Sequence, residues 1–287
     1  VSCDSYYEKG STHLVCQDYA LSGSFKGIEY GIVADGCSSA DHSEVGAQIL
    51  CHVAKYNIEF CIQTGLFERL NLKELSFYLG NGIHKRADEI RKIYPITPKA
   101  LEATLLITIR LSSRVLVFAW GDGVITANYR KEDGGNYQLI MKIDYSLNAP
   151  FYLISDRTVY LKNCAIKGED NPQCFREIIT LSGEKGLENP LESSLPFDTI
   201  YSEEISNIMK DKLLSVTICT DGISTYRDSY KKDIGLDITI PEFIGFKNTT
   251  GEFVKKRMIF FGKKVKKHNW HHYDDVGTAT IYLNEEY

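Results

Sequence analysis

The sequence predicts an α+β fold, and three observations carry that reading. Short runs rich in β-branched and aromatic residues recur between positions 27 and 283. Two long stretches of helical periodicity stand together between the strand candidates at 27–34 and 104–110. Strands in hairpin order, interrupted by a pair of helices, make a domain in which helices pack on sheets.

Along the chain, the first strand candidate is "GIEYGIVA" (27–34). From 43 to 62, Val45, Ile49, Leu50, Val53, Ala54, Ile58 and Cys61 recur at steps of three and four, with Ser43 as the N-cap. From 72 to 93, Leu72, Leu75, Leu79, Ile83 and Ile90 do the same, and Pro95 lies just past the end. The next strands are 104–110 "TLLITIR", 114–120 "RVLVFAW" and 123–129 "GVITANY", with the glycine turn Gly121-Asp122-Gly123 where the last two meet. That turn makes 114–120 and 123–129 hairpin partners. The stretch 183–200 "GEKGLENPLESSLPFDTI" reads as a loop, 213–220 "LLSVTICT" and 276–283 "VGTATIYL" as strands, and 250–267 as a third helix. That helix carries Phe253, Val254, Met258, Phe261 and Val265 on one side.

Composition narrows the function classes. A content of 43% hydrophobic and 25% charged residues is that of a globular chain, and no repeat or low-complexity linker divides it, so 1–287 is read as one domain. No apolar run is long enough for a membrane span, and no signal-peptide pattern opens the chain. A net charge of −5 argues against a nucleic-acid partner. The eight cysteines form no CxxC pair and several sit in apolar contexts, which argues against a structural zinc site and for reduced thiols in the cytoplasm.

Chemistry enters with the aspartates. Asp35 follows "YGIVA", Asp122 follows "LVFAWG" and Asp221 follows "SVTICT"; each precedes Gly. Asp274 and Asp275 open the last strand. One Asp-Gly at a strand end is an ordinary turn. Several carboxylates at one sheet edge repel each other unless cations sit between them, and all-oxygen ligation selects Mg²⁺ or Mn²⁺ over zinc.

The stretches "GSTHLVCQDYAL" (10–21), "VADGCSSADHSEVGA" (33–47), "EATLLIT" (102–108), "WGDGVI" (120–125), "CTDGIS" (219–224) and "DDVGTATIYL" (274–283) carry a resemblance. In this order they resemble the protein phosphatase 2C family of metal-dependent serine/threonine phosphatases, most of all its divergent bacterial-type branch. The resemblance implies two antiparallel sheets packed as a sandwich with helices on both outer faces. It also implies two divalent ions, Mn²⁺ or Mg²⁺, in a cleft at one end. Asp35 would bridge them, the Gly36 carbonyl would bind one, and Asp221 and Asp274 the other. Asp18 would bind directly or through water, and Asp122 would join a third, weaker ion. The implied reaction is hydrolysis of phosphoserine or phosphothreonine in protein by a water shared between the two ions.

Departures from the family pattern qualify this. Gln17-Asp18 stands where many members have Glu-Asp, so Asp18 alone carries charge there. The Arg that holds substrate phosphate in better-known members falls near His13, which stands in as a phosphate contact or is a packed loop histidine. Cys37 takes the place of a His proposed elsewhere as proton donor, and Ser38-Ser39 that of Gly-Gly. Thr225 replaces a third-metal Asp, so that ion is expected to be weak or absent. Asp274-Asp275 replaces Asp-Asn, with Asp274 the aligned ligand. These departures keep open a second reading, a weak or inactive phosphatase fold that binds phosphorylated partners. A metal nuclease is the remoter rival, opposed by the acidic balance. His268, His271 and His272 are read as a solvated loop rather than a transition-metal site. The basic set from Lys255 to Lys267 is read as the wet face of its helix.

Overall fold

The computed structural model describes residues 2–112, 114–182, 186–187 and 191–283. In chain order the strands are β1 (Ser2–Glu8), β2 (Asp18–Phe25), β3 (Ile28–Asp35), β4 (Leu105–Leu111), β5 (Arg114–Trp120), β6 (Gly123–Arg130), β7 (Asn136–Tyr145), β8 (Gln173–Ser182), β9 (Gly186–Leu187), β10 (Leu191–Pro196), β11 (Tyr201–Ile205), β12 (Lys212–Cys219), β13 (Tyr226–Arg227), β14 (His271–His272) and β15 (Val276–Tyr282). The helices are α1 (Ser43–Thr64), α2 (Leu66–Arg69), α3 (Leu72–Arg91), α4 (Arg157–Ile166), α5 (Leu236–Ile244) and α6 (Phe253–Lys267).

The larger sheet runs β1-β15-β12-β6-β7-β8-β10, with β9 also beside β8. The smaller runs β11-β5-β4-β3-β2, and β13 and β14 make a short ribbon. Strand alternation explains the layers. On β3, β4 and β5, Ile32, Ile107 and Phe118 face α1 and α3, while Val33, Leu106 and Val117 face the other sheet. Val216, Ile218, Ala279 and Ile281 of the larger sheet meet that inner face. Its outer face, with Val124, Cys219 and Val276, is covered by α5 and α6. The result is four layers, helix–sheet–sheet–helix, with a core between each pair. Among the described residues no helix is long and apolar enough to cross a membrane.

Some expected details differ. β5 and β6 are not hairpin partners: β5 pairs with β4 and β11, and β6 pairs with β12 and β7. Gly121 (φ +99°) and Gly123 (φ +146°) carry the chain from one sheet into the other, a path that L side chains rarely follow. A Cβ on Gly123 would stand 2.8 Å from the carbonyl oxygen of Cys219 on the neighbouring strand β12 and 2.9 Å from a methyl of Leu106 on the facing sheet, so there is no room for a side chain at the crossing.

Ser43 is not the N-cap of α1. His42 holds that position in a left-handed conformation without a side-chain cap, and the Ser43 hydroxyl instead accepts from the Gln17 amide at 2.8 Å. α3 has a full capping box between Asn71 and Glu74. Within 183–200, Leu191–Pro196 is not loop but edge strand against β8; positions 183–185 and 188–190 of that segment lie outside the described residues. The polar alternation of "LESSLP" suits an edge strand better than its composition suggests.

Candidate active site

The sandwich brings five strand-end aspartates to one end of the molecule. Asp18 opens β2 and pairs in register with Asp35, the last residue of β3. Asp35 is tied to the neighbouring β4 through Thr104: its N–H donates to Thr104 Oγ1 (3.1 Å) and its carbonyl accepts from Thr104 N–H (2.9 Å). Asp122 sits between the two glycines of the sheet-to-sheet crossing. Asp221 follows β12, and Asp274 precedes β15, the strand hydrogen-bonded to β12. Rigid strands on two sheets therefore position all five.

Asp18 is the deepest, at 3% exposure. Thr220 Oγ1 donates to its Oδ2 at 2.6 Å and accepts from the Gly277 N–H at 2.8 Å. Its Oδ1 is buried with no hydrogen-bond partner. Burial, with the charges of Asp275 and Asp221, pushes Asp18 up to about 7, against the lowering effect of Asp35 and Thr220. Burial and the charges of Asp18 and Asp221 raise Asp35 well above the usual carboxylate range. Asp122 is raised in the same way by burial and then Asp221, and Asp221 goes up to about 6 through burial and Asp274. Each of these groups resists ionising where it stands.

Asp274 and Asp275 part company. The Asp275 side chain is fully buried and accepts from the N–H groups of Gly10 (2.7 Å) and Gln17 (2.5 Å). Asp274 is partly exposed, its N–H held by Thr225 Oγ1 at 3.2 Å. His13 stands between them, with Nδ1 2.9 Å from Asp275 Oδ2 and Nε2 3.6 Å from Asp274 Oδ1. The Nδ1 contact is close but out of line for a well-formed hydrogen bond. Burial lowers the His13 pKa, but Asp275, Asp274 and Asp18 outweigh it and the net direction is upward.

A cleft of about 370 Å³ opens over this cluster. Asp35, Gly36, Asp122, Asp221, Asp274 and His13 line it; Asp18 lies beneath, off its wall. The opposite wall is α4 and the segment before it, including Tyr152, Asn163 and Lys167. Nothing in the sequence pattern pointed to this wall, because it carries no strand-end aspartate and no glycine turn. Thr104, Thr220 and Thr225 were also missed as anchors of Asp35, Asp18 and Asp274. Only Thr220, in "TDG", adjoins an aspartate in sequence; Thr104 and Thr225 do not.

The donor set is oxygen only, which suits hard divalent cations. Carboxylates buried against each other, one with an oxygen lacking any partner, are groups that a cation would satisfy. Among the described residues, no group of three or more His, Cys, Asp or Glu side chains is already poised around one ion position. The three histidines near 268–272 do not converge: His272 stacks on Tyr226 and His268 on Trp270.

The sequence profile described as Protein phosphatase 2C matches residues 8–246. The chain belongs to the protein phosphatase 2C family. It is accordingly a phosphoprotein phosphatase by family, and the family generally uses divalent metals. The match ends before α6, so Asp274 is joined to the site by geometry.

Solved structures share the fold at low identity. A bacterial serine phosphatase superposes with TM-score 0.54 at 11% identity, covering 99% of this chain and 98% of that one. A serine/threonine phosphatase of S. agalactiae gives 0.51 at 13%, with 98% and 99% covered. A serine-threonine phosphatase 2C from Toxoplasma gondii gives 0.53 at 12%, with 98% and 94% covered. No curated protein matches by sequence.

Proposed function

We propose that the chain is one catalytic domain that hydrolyses phosphoserine and phosphothreonine in proteins with Mn²⁺ or Mg²⁺. The observation that carries this is the cluster of Asp18, Asp35, Asp122 and Asp221, two of them buried and two half-buried, all four raised above the ordinary carboxylate range and joined by Asp274 at the floor of one cleft. Asp35 and the Gly36 carbonyl, Asp221, Asp274 and Asp18 are the residues that hold two ions, and Asp122 a third and weaker one. Bound there, the cations supply charge neutralisation for a phosphoryl group and acidity for a water nucleophile. His13, braced by Asp275, offers Nε2 toward substrate phosphate from the cleft wall. Positioning and charge neutralisation suffice for phosphoryl transfer, so no covalent nucleophile is assigned. Eight free cysteines, five of them buried, suit a reducing compartment such as the cytoplasm.

Turnover of p-nitrophenyl phosphate and of a phosphothreonine peptide, with Mn²⁺ titrated in, tests this. Turnover is expected to be saturable in Mn²⁺, abolished by chelator and abolished in Asp35→Asn without unfolding. Gln17 spends its amide on Ser43, and Thr225 spends its hydroxyl on the Asp274 N–H; neither adds a carboxylate. Phosphopeptide binding without Mn²⁺-dependent release would replace the catalytic reading with that of a phosphoprotein-binding module.

A further inference from the structure

Helix α6 is the most basic element of an acidic chain. Its 15 residues, FVKKRMIFFGKKVKK, hold no acidic side chain, while the whole chain has a net charge of −5. Part of this charge is answered locally. Glu242 pairs with Arg257 and Lys264, and Glu252 with Lys255. Lys256, Lys263, Lys266 and Lys267 have no ion pair among the described residues. All four are exposed and, at helical spacing, share one face with Ile259 (47% exposed) and Phe260 (55%).

At the N-terminal end of this face lies a groove of about 200 Å³ between α6 and residues 245–248. Phe246, Phe253 and Phe260 make it apolar, and Lys247 and Lys256 stand at it. Its walls are braced from within: Phe246 packs edge-on against Phe253 at 5.0 Å, and the Arg257 guanidinium lies 5.4 Å from the Phe260 ring. The groove has room for a bulky side chain and is flanked by unanswered positive charge.

We infer that this groove and the lysine stripe beside it form a docking site for an acidic peptide segment of a partner protein. A Phe, Leu or Met of that segment fills the groove, and its Asp and Glu residues lie along Lys256, Lys263, Lys266 and Lys267. Charge complementarity argues for this occupant. A lipid surface suits the helix less well. Phe253, Val254, Met258, Phe261 and Val265 are already spent on the core, so only Ile259 and Phe260 remain to enter a bilayer. The site is separate from the aspartate cleft and does not depend on the metal reading. α6 nonetheless leads through residues 268–273 directly to Asp274, so a docked partner is held by the element that feeds the cleft.

The test is fluorescence anisotropy with a labelled peptide carrying Phe-Leu between two runs of Glu, on the full chain. Binding is expected to be saturable and to weaken with added salt. Lys256→Glu combined with Lys263→Glu, and separately Phe260→Ser, should each weaken it about tenfold or more, with unchanged thermal melting and unchanged small-substrate turnover. Replacing Phe-Leu by Ser-Ser in the peptide should cost a similar factor. The inference is overturned by absence of binding, by equal binding of the peptide with Lys in place of Glu, or by variants that keep full affinity. Tighter binding of anionic vesicles or duplex DNA than of the peptide, lost in the same variants, would also overturn it and assign the face to those ligands.

Discussion

Asp274 and Asp275 are neighbours in sequence and differ in every physical respect. Asp275 is a structural clamp: two backbone N–H groups from the 9–17 segment end on its carboxylate, and His13 leans on it. Truncating it leaves buried donors without acceptors, at about 1–3 kcal/mol each. Asp274 lines the cleft, and among the described residues its carboxylate accepts only the N–H of its neighbour Asp275, at 2.9 Å, with no hydrogen bond to a distant segment. Asp275→Ala is therefore expected to lower the melting temperature by several degrees. Asp274→Ala is expected to leave melting nearly unchanged while removing Mn²⁺-dependent turnover. Calorimetric melts and turnover at saturating Mn²⁺ on the two variants check this; the reverse ranking would exchange the two roles. The residues that meet in the cleft are largely those visible in sequence as aspartates ending apolar runs, because a charge at the end of a buried strand is conspicuous. The hydroxyls that hold them were not visible, since a threonine in a strand is unremarkable until its partner is known.

At the scale of elements, the site depends on how closely strands approach at their ends. Gly222, just after Asp221, faces the backbone of Asp275: a Cβ there would lie 1.7 Å from its carbonyl oxygen. No rotamer relieves a backbone contact of that kind. Gly222→Ala is expected to push the start of β15 away from the β12 end, disturbing Asp221, Asp274 and Asp275 together. Turnover should fall by at least about a hundredfold, since displacements near 1 Å cost that much, and the melting temperature should drop. Wild-type turnover in this variant would show that the strand ends are not tightly coupled.

The elements themselves were legible where periodicity was strong, as in α1, α3, α6, β4, β5 and β12. Weakly patterned strands such as β1, β7 and β8 were not, nor was α4: β1 pairs with β15 at the far end of the chain, and β7 and β8 run largely half-buried without clean alternation. The crossing from β5 to β6 was misread for a related reason. Gly-Asp-Gly is the same local signal whether the chain turns back on itself or passes into a second sheet, and only tertiary packing distinguishes the two.

The whole molecule carries an electrostatic load at one end that its stability must reflect. In the metal-free protein, burial and mutual repulsion hold Asp18 near 7 and Asp221 near 6, with Asp35 and Asp122 well above the ordinary range. Unfolded, each titrates near 3.9. Between about pH 4 and pH 7 the folded chain thus binds more protons at these four carboxylates than the unfolded chain does, and their contribution to stability falls as pH rises through that window. His13, also raised, acts in the same direction; His272, lowered by burial, acts against it. Melting temperature in chelator is therefore expected to be higher at pH 5.5 than at pH 7.5. Cations bound as proposed would take over the role of the bound protons, so Mn²⁺ should raise the melting temperature more at pH 7.5 than at pH 5.5. Asp35→Asn, which removes one member of the cluster, should shrink the pH effect in chelator. A melting temperature that instead climbs with pH across this range in chelator, alike in wild type and Asp35→Asn, would mean that the carboxylates are ionised and well solvated, and that the cluster stores no charge for a metal to relieve.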